Sequence, residues 1–333
     1  MQKKYTYSVG IATYNGERFI REQLTSVINQ SLLPTEIIVS DDGSTDCTIK
    51  IVKEVLSSYS GKFRVLTTNR NQGLKKNIEK IVSESNTEWL FLCDQDDFWE
   101  LDKIEKFNDF INTKKEDNIS LVLSDGWVTD KKLNHKYGLF ESLKIFPSMY
   151  KDGILANPFQ ILFKRNIFTG ASLMVRTQVA QDAIPFSQSS EALHDYWLGI
   201  VSCIKGKVGI IDEKLFLYRQ HGHNTIGAKD KGFYLKIKGV KRDIVSSFSD
   251  AKGRYELSLD LENSMLVKDP DLLMQIEKWK QFNLARYSMS VERNSIFNDI
   301  RKLLFLNYRK YGRSSASKLG DILNIVFCRR KCR

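Results

Sequence analysis

Short apolar runs alternate with amphipathic segments over the first hundred residues. The apolar runs predict four strands, at residues 7–12, 36–40, 63–66 and 89–93. Between the strands, apolar residues recur at intervals of three and four, which predicts helices over 19–30, over 48–56 and from about 77 to 83. Because strands that alternate with helices form βαβ units, this part of the chain is predicted to be an α/β domain with a mostly parallel sheet.

The pattern becomes mainly helical beyond about residue 227. Strand-like runs become rare, and residues 272–286 and 295–311 have helical periodicity. We therefore predict a catalytic domain over 1–225 and a mainly helical region over 226–333. Residues 1–225 carry 28 basic and 28 acidic side chains, whereas 226–333 carry 23 and 12, so the whole net charge of +11 lies in the helical region.

The composition is typical of a globular protein, with 42% hydrophobic and 27% charged residues among 333. No apolar run reaches the roughly 18 residues of a spanning helix, and the apolar stretch near the N-terminus is too short for a signal peptide, which predicts a cytoplasmic location. Five scattered cysteines without a CxxC pair indicate reduced thiols, not disulfides or a zinc site.

A polar cluster follows each predicted strand, where open α/β sheets bind their ligands. The clusters are Thr13-Tyr14-Asn15-Gly16-Glu17, Asp41-Asp42-Gly43-Ser44-Thr45-Asp46, Asn69 to Asn77, and Asp94-Gln95-Asp96-Asp97. The first is not the Gly-rich loop of a dinucleotide site. The second is either a tight turn with a helix cap or a set of acceptors for a nucleobase N–H or a ribose hydroxyl. The third is either a solvated loop or a set of donors for a base or diphosphate.

The fourth cluster, the tetrad Asp94-Gln95-Asp96-Asp97, carries the strongest chemical signal. Three carboxylates within four residues repel one another unless a cation neutralises them. Strand alternation points Asp94 and Asp96 the same way. Their hard oxygen ligands suit Mg²⁺ or Mn²⁺. The alternative is an acidic N-terminus for a helix that starts near Phe98.

Two later clusters lie at the ends of apolar runs. His194-Asp195-Tyr196-Trp197 begins a predicted helix, where Asp195 is either a cap or a base that deprotonates a hydroxyl. Arg219-Gln220-His221-Gly222-His223 follows an apolar strand. Two histidines alone do not form a zinc site, but one imidazole completing an oxygen-rich metal site is compatible with this position.

These clusters, in this order over the first 225 residues, resemble family 2 of the glycosyltransferases, which has the GT-A fold. The Asp-Gln-Asp-Asp-Phe-Trp form and the later Tyr-Arg-Gln-His-Gly are most similar to bacterial rhamnosyltransferases of surface-polysaccharide assembly. The Gln-x-x-Arg-Trp motif of processive synthases is absent from the sequence. That departure favours the transfer of a single sugar.

The resemblance implies a role for each matching residue. Asp195 would be the catalytic base. The metal, Mn²⁺ or Mg²⁺, would be held by Asp96, Asp94 and His221. The nucleotide-sugar would be bound by Thr13, Tyr14, Asn15, Glu17, Asp41, Asp42, Asn71, Gly73, Lys76, Asp94, Gln95 and Trp197.

The implied function is an inverting, metal-dependent transfer to a hydroxyl of a lipid-linked glycan, as in O-antigen synthesis. The resemblance alone favours L-rhamnose from dTDP-rhamnose, and a UDP-hexose donor is the alternative. A sugar-1-phosphate nucleotidyltransferase shares the fold and metal, but requires a Gly-rich signature with Arg after the first strand. A non-catalytic scaffold that binds nucleotide-sugar is a third hypothesis.

The C-terminal segment 316–327 places Leu319, Ile322, Leu323 and Val326 on one helical face, and four cations follow at Arg329, Arg330, Lys331 and Arg333. This helix either docks on the protein or lies on the membrane surface. A lipid-linked acceptor favours the second, and with it a peripheral position on the cytoplasmic face of the inner membrane. No recognition motif supports nucleic-acid binding. The sequence leaves a homodimer open.

Overall fold

The computed structural model describes residues 5–221, 249–291, 296–312, 317–323 and 325. These residues fall into two compact units. The first contains residues 5–156, 167–186 and 194–221, and the second contains 157–166, 187–193 and the residues from 249 onward. The predicted boundary at 225 lies outside the described residues. Two short segments within 1–225 pack with the helical unit, which the sequence did not predict.

The strands form a sheet of eleven within the described ranges. They are β1 (Tyr7–Thr13), β2 (Glu36–Asp41), β3 (Lys62–Thr67), β4 (Trp89–Asp94), β5 (Phe98–Trp99), β6 (Ile119–Thr129), β7 (His135–Gly138), β8 (Tyr150–Lys151), β9 (Ile154–Leu155), β10 (Leu173–Arg176) and β11 (Lys207–Arg219). The helices are α1 (Ile20–Ile28), α2 (Thr48–Leu56), α3 (Leu74–Glu84), α4 (Lys103–Thr113), α5 (Leu139–Leu143), α6 (Pro158–Leu162), α7 (Thr177–Asp182), α8 (His194–Lys205), α9 (Ser249–Asn263), α10 (Pro270–Val291), α11 (Ile296–Phe305), α12 (Tyr308–Tyr311) and α13 (Ser317–Leu323).

The first four predicted strands form a parallel block in the order β3-β2-β1-β4. Every residue of β1 and β2 is buried, because helices cover both faces and leave no face for alternating polar residues. α1 turns Ile20, Leu24 and Val27, spaced by four and three, toward this core, and each is 0% exposed. The predicted α/β architecture with flanking helices is confirmed.

The sheet continues beyond β4 as a mixed block. β10 lies between β4 and β6 and is antiparallel to both, and β6 pairs in parallel with β11. β5 also pairs with β11, through Trp99 opposite Phe216. The interpretation of a helix that starts near Phe98 is therefore wrong. Phe98 and Trp99 are strand residues, and the next helix begins at Lys103.

The described residues of the second unit after 249 are mainly helical. Asp321 of α13 is 0% exposed and accepts from the Arg286 guanidinium at 2.7 and 3.1 Å and from the Tyr308 hydroxyl. This buried pairing docks the described part of the predicted C-terminal helix on the protein. Val326 and the four terminal cations lie outside the described residues. In the part of the chain that the structure describes, no helix is long and apolar enough to cross a membrane.

Candidate functional site

The ends of the parallel strands lie side by side. Thr13 is opposite Asp41, and Ala12 is opposite Asp94. Three of the polar clusters from the sequence therefore meet at one sheet edge, as expected for the carboxyl ends of parallel strands.

Asp41 organises the loop that follows β2. Its Oδ1 accepts from the Thr13 hydroxyl at 2.9 Å and the Ser44 hydroxyl at 2.5 Å, and its Oδ2 accepts from the backbone N–H of Gly43 and Ser44 at 3.2 and 2.8 Å. The residue is 2% exposed. A carboxylate with these four donors needs no further cation to offset its burial.

Asp42 organises the loop that precedes α3. Its Oδ1 accepts from the Gln72 N–H at 2.9 Å, and its Oδ2 accepts from the Gly73 N–H at 2.8 Å. The Asn71 side chain also accepts from the Gly73 N–H, at 2.9 Å. Gly73 has φ +93°, and a Cβ there would contact nothing within 4 Å, so the backbone is approachable at this helix start.

The loop after β1 is tied to the loop after β2. Asn15 Oδ1 accepts from the Thr45 N–H at 2.9 Å, and Glu17 Oε2 accepts from the Cys47 N–H at 2.9 Å. Tyr14 is 44% exposed, and its backbone exchanges two hydrogen bonds with the Gln95 amide, at 3.0 and 3.2 Å. Asn15, Glu17 and Gln95 thus shape the loops, and the Tyr14 ring is left accessible.

The tetrad is compensated far less completely. Burial, followed by repulsion from Asp96 and Asp195, raises the pKa of Asp94 to about 7. Burial and the charges of Asp96 and Asp94 raise the pKa of Asp97 well above its usual range. Asp97 Oδ1 accepts from the Arg219 N–H at 3.0 Å, but its buried Oδ2 has no hydrogen-bond partner among the described residues. Ionising Asp94 and Asp97 at this edge of the sheet is therefore unfavourable without a further cation.

Asp195 joins the tetrad in space, although about a hundred residues separate them in sequence. It lies in the first turn of α8, is 9% exposed, and its Oδ1 accepts from the Tyr196 N–H at 2.6 Å. Its charge acts on Asp94 and on the buried Tyr218 hydroxyl. Burial, followed by the charges of the four acids, raises the pKa of Tyr218. Asp195 is thus a fourth carboxylate, close enough for its charge to act on the tetrad.

His221 lies on the tetrad, as the sequence suggested. Its Nε2 is 2.7 Å from Asp96 Oδ2, and its ring stacks on Phe19 with centroids 4.7 Å apart. One imidazole nitrogen and one carboxylate oxygen are thus adjacent. In the described part of the chain, no group of three or more His, Cys, Asp or Glu side chains is arranged to hold an ion. A site that takes two protein ligands and completes its shell with substrate phosphates fits this arrangement.

Arg219 fixes the position of the tetrad, a role that the sequence analysis missed. Its Nε donates to the Asp96 carbonyl at 2.7 Å, Nη1 to the Lys131 carbonyl at 2.8 Å, and Nη2 to Glu22 Oε2 at 2.5 Å. The residue is 2% exposed. An arginine at the end of an apolar strand was the available signal, since a buried guanidinium must find acceptors.

Lys103 is a second missed residue. It is 0% exposed, its Nζ donates to the Ala171 carbonyl at 2.8 Å, and the ammonium lies 4.1 Å from the Trp99 ring centroid. Burial lowers the pKa of Lys103 to about 7, while Asp97 and Asp94 act in the opposite direction. This cation therefore offsets the tetrad only in part.

Two predicted donor-binding residues are engaged elsewhere. Trp197 is 2% exposed, and its indole N–H donates to the Ala183 carbonyl at 2.7 Å, so the structure places its side chain in the core, against its prediction as a nucleotide-sugar-binding residue. Lys76 pairs with Glu79 Oε2 at 2.5 Å, one turn along α3. The other predicted residues lie on the loops and strand ends described above.

Comparison with known proteins identifies the family that the chain matches. The sequence model described as "Glycosyl transferase family 2" matches residues 8–174, half of the chain. A dTDP-rhamnosyl transferase from Shigella flexneri is 30% identical over 227 residues, which cover 66% of this chain and 74% of that protein. The chain spans 59% of the length of the uncharacterised mycobacterial relatives that it matches at 27% identity.

Two solved structures share the fold. Staphylococcus aureus TarS residues 1–349, in complex with UDP-GlcNAc, match with a TM-score of 0.60 at 16% identity, over 98% of this chain and 92% of that one. A mannosyltransferase from Pyrobaculum calidifontis, in complex with GDP-Man and Mn²⁺, matches with a TM-score of 0.53 at 12% identity, over 98% and 88%. At these identities the likeness concerns the fold alone.

Proposed function

The chain belongs to family 2 of the glycosyltransferases, and from that membership we propose that it moves one sugar from a nucleotide-sugar to an acceptor hydroxyl with inversion. The observation that carries the proposal is the approach of Asp195 to the under-compensated tetrad. It places a base next to carboxylates that repel one another and lack a fully neutralising cation among the described residues. A binding scaffold would not require both.

We propose that the donor lies along the loops after β1, β2 and β3. Asp41, Asp42 and the exposed Tyr14 ring would face the nucleoside, and the open backbone at Gly73 would approach the phosphates. Thr13, Asn15 and Glu17 would hold these loops in shape, and Asn71, Lys76 and Gln95 would adjoin the donor. The family resemblance implies that Asp94 contacts the ribose or the metal, and its position at the end of β4 supports that role.

Asp96 and His221 are the proposed metal ligands, with Asp94 next to them. Bound there, Mn²⁺ or Mg²⁺ would offset the charge on the departing nucleoside diphosphate. The carboxylates contribute independently, because their negative charge disfavours an unneutralised diphosphate at this edge and thereby makes donor binding depend on a cation.

Asp195 is the proposed base. A carboxylate oxygen of Asp195 would take the proton from the acceptor hydroxyl as the hydroxyl oxygen bonds to the anomeric carbon and the bond to the diphosphate oxygen breaks. This single displacement inverts the anomeric centre and needs no second carboxylate as nucleophile. Asp195 lies in the first turn of α8, where the partial positive charge of a helix N-terminus favours an acidic side chain.

We further propose L-rhamnose from dTDP-rhamnose as the donor, a lipid-linked glycan as the acceptor, and action at the cytoplasmic face of the membrane in surface-polysaccharide synthesis. The Shigella relative supports the sugar by its name alone. A UDP-hexose donor is the alternative, because the structural neighbour TarS is complexed with UDP-GlcNAc.

A thermal-shift panel of nucleotide-sugars with Mn²⁺, followed by a transfer assay, tests the proposal. We expect stabilisation by dTDP-rhamnose, and release of a nucleoside diphosphate that requires both acceptor and metal. Stabilisation by UDP-sugars but not by dTDP-sugars would overturn the donor assignment. Pyrophosphate release from a nucleoside triphosphate and a sugar phosphate would indicate a nucleotidyltransferase instead.

A further inference from the structure

The helical unit has an apolar surface at the end of α11 that its core does not cover. Leu304 is 58% exposed and Phe305 is 82% exposed, whereas the preceding Leu303 is 0% exposed. Single exposed apolar residues are ordinary, but two adjacent large ones at a helix end, one of them aromatic, are costly to keep in water.

Cations accompany this apolar pair. Arg301 and Lys302 are exposed, and with Asn298 and Phe305 they line an open surface concavity. Positions 298, 301, 302 and 305 are spaced by three and four, so they share one helical face. Arg309, just beyond the helix, is also exposed, whereas the acid of α11, Asp299, is 0% exposed. The charge presented to solvent by α11 is therefore positive.

The combination selects one class of partner. A helix that lies in a bilayer interface presents apolar and aromatic side chains to the acyl boundary and basic side chains to anionic headgroups. The other helix expected at a membrane, α13, is held on the protein through the buried Asp321–Arg286 pair. α11 is thus better placed for this role than the described part of α13.

We propose that the end of α11, with Leu304, Phe305, Arg301, Lys302 and Arg309, is a membrane-contact surface that binds an anionic phospholipid bilayer. The inference rests on the proposed function, because an enzyme that uses a lipid-linked acceptor must reach it at a membrane. Its physical test does not depend on sugar transfer.

The test is co-sedimentation of the full chain with vesicles of phosphatidylglycerol and phosphatidylethanolamine, against vesicles of phosphatidylcholine alone. We expect binding to the anionic vesicles that weakens with salt. The double variant Leu304→Glu/Phe305→Glu should bind at least about tenfold more weakly. Met274→Glu is the matched control, because Met274 is also an exposed apolar residue on a helix of this unit, at 49% exposure.

Lys302→Ala should weaken binding about fivefold, since each cation near an anionic surface contributes about that factor. The exposed Lys53 of α2 provides the control, and Lys53→Ala should bind as the wild type does. Circular dichroism should show that the double variant is folded. If it then binds vesicles as well as the wild type does, the membrane affinity belongs to another segment and the proposal is overturned.

Light scattering addresses the competing occupant. A dimer that dissociates in the double variant, with no change in vesicle binding, would assign the surface to a second copy of the chain and overturn the proposal. Transfer to a soluble acceptor distinguishes the two hypotheses, because the double variant should retain it. Loss of vesicle binding with transfer intact supports the surface, whereas a wild type that binds vesicles but transfers no sugar would defeat only the proposed function.

Discussion

Asp41 and Asp42 at the end of β2, and Asp94, Asp96 and Asp97 at the end of β4, are acidic clusters on the same edge of one sheet. The first pair is satisfied by the protein, because each oxygen of each carboxylate accepts from a hydroxyl or a backbone N–H. In the second, Asp94 and Asp97 have raised pKa values, and Asp97 Oδ2 is buried without a hydrogen-bond partner among the described residues. Carboxylates at the ends of neighbouring strands can thus either hold a loop in shape or bind a ligand, depending on how many hydrogen-bond donors surround them.

The largest expected effect is on sugar transfer, at Asp195 next to the tetrad. Asp195→Asn removes the proposed base and preserves the shape of the side chain, so transfer should fall by about 10²- to 10⁴-fold. Nucleotide-sugar binding, measured by calorimetry, should stay within about twofold. Full transfer by this variant would contradict the assignment of Asp195 as the base.

The next effect is on stability and distinguishes the two clusters directly. Asp41→Asn places an amide donor where the wild type accepts from N–H groups, and should lower the free energy of unfolding by about 3 kcal/mol. Asp94→Asn is the matched change at the end of β4, and should leave stability at pH 7.5 unchanged or higher because it removes a repelling charge. Urea titrations of both variants measure this difference, and equal destabilisation would remove the distinction between the clusters.

A smaller effect concerns the metal. His221→Ala removes one of two proposed ligands. The Mn²⁺ concentration needed for donor binding should therefore rise by about tenfold. His135→Ala is the control, since the exposed His135 stacks on Trp127, with ring centroids 4.8 Å apart, and is not a proposed ligand. Unchanged Mn²⁺ affinity in His221→Ala would leave Asp96 and its carboxylate neighbours as the proposed ion site.

The smallest effect is a change in pH dependence. The pKa of Asp94 is about 7 in the folded protein and near 3.8 when unfolded, so the folded state binds the proton more tightly. Raising the pH from about 4 to 7 therefore costs stability at this residue. The metal-free Asp94→Asn variant should lose less stability over that range than the wild type does, as measured by melting temperature. Parallel curves would show that Asp94 is ionised throughout.

Much of the parallel block could be predicted from the sequence, because its strands are buried runs separated by periodic helices. Predicted strand 36–40 is Glu36–Asp41, and predicted helix 48–56 is Thr48–Leu56. The mixed block could not be predicted, since the insertion of β10 between β4 and β6 depends on long-range pairing that no local pattern specifies. The same reason explains the error at Phe98, whose strand exists only by pairing with β11.

The sequence predicted which residue types form the candidate site better than it predicted their contacts. Clusters at strand ends identified the loops, but not which carboxylates the protein itself would satisfy. Trp197 was misplaced because helix position alone does not say which side faces the core. Lys103 and Arg219 were missed because a buried cation carries no local signature and is identified by its distant acceptors.

Arg219 has a consequence for protein engineering. Through one side chain it joins the Asp96 carbonyl, Glu22 of α1 and the carbonyl of Lys131, three segments that are far apart in the chain. In a chimera of two family members with a crossover between Asp97 and Arg219, the arginine would come from one parent and its acceptors at Glu22 and Asp96 from the other. Functional recombinants should therefore be found where the crossover falls after Arg219, so that donor and acceptor segments are inherited together.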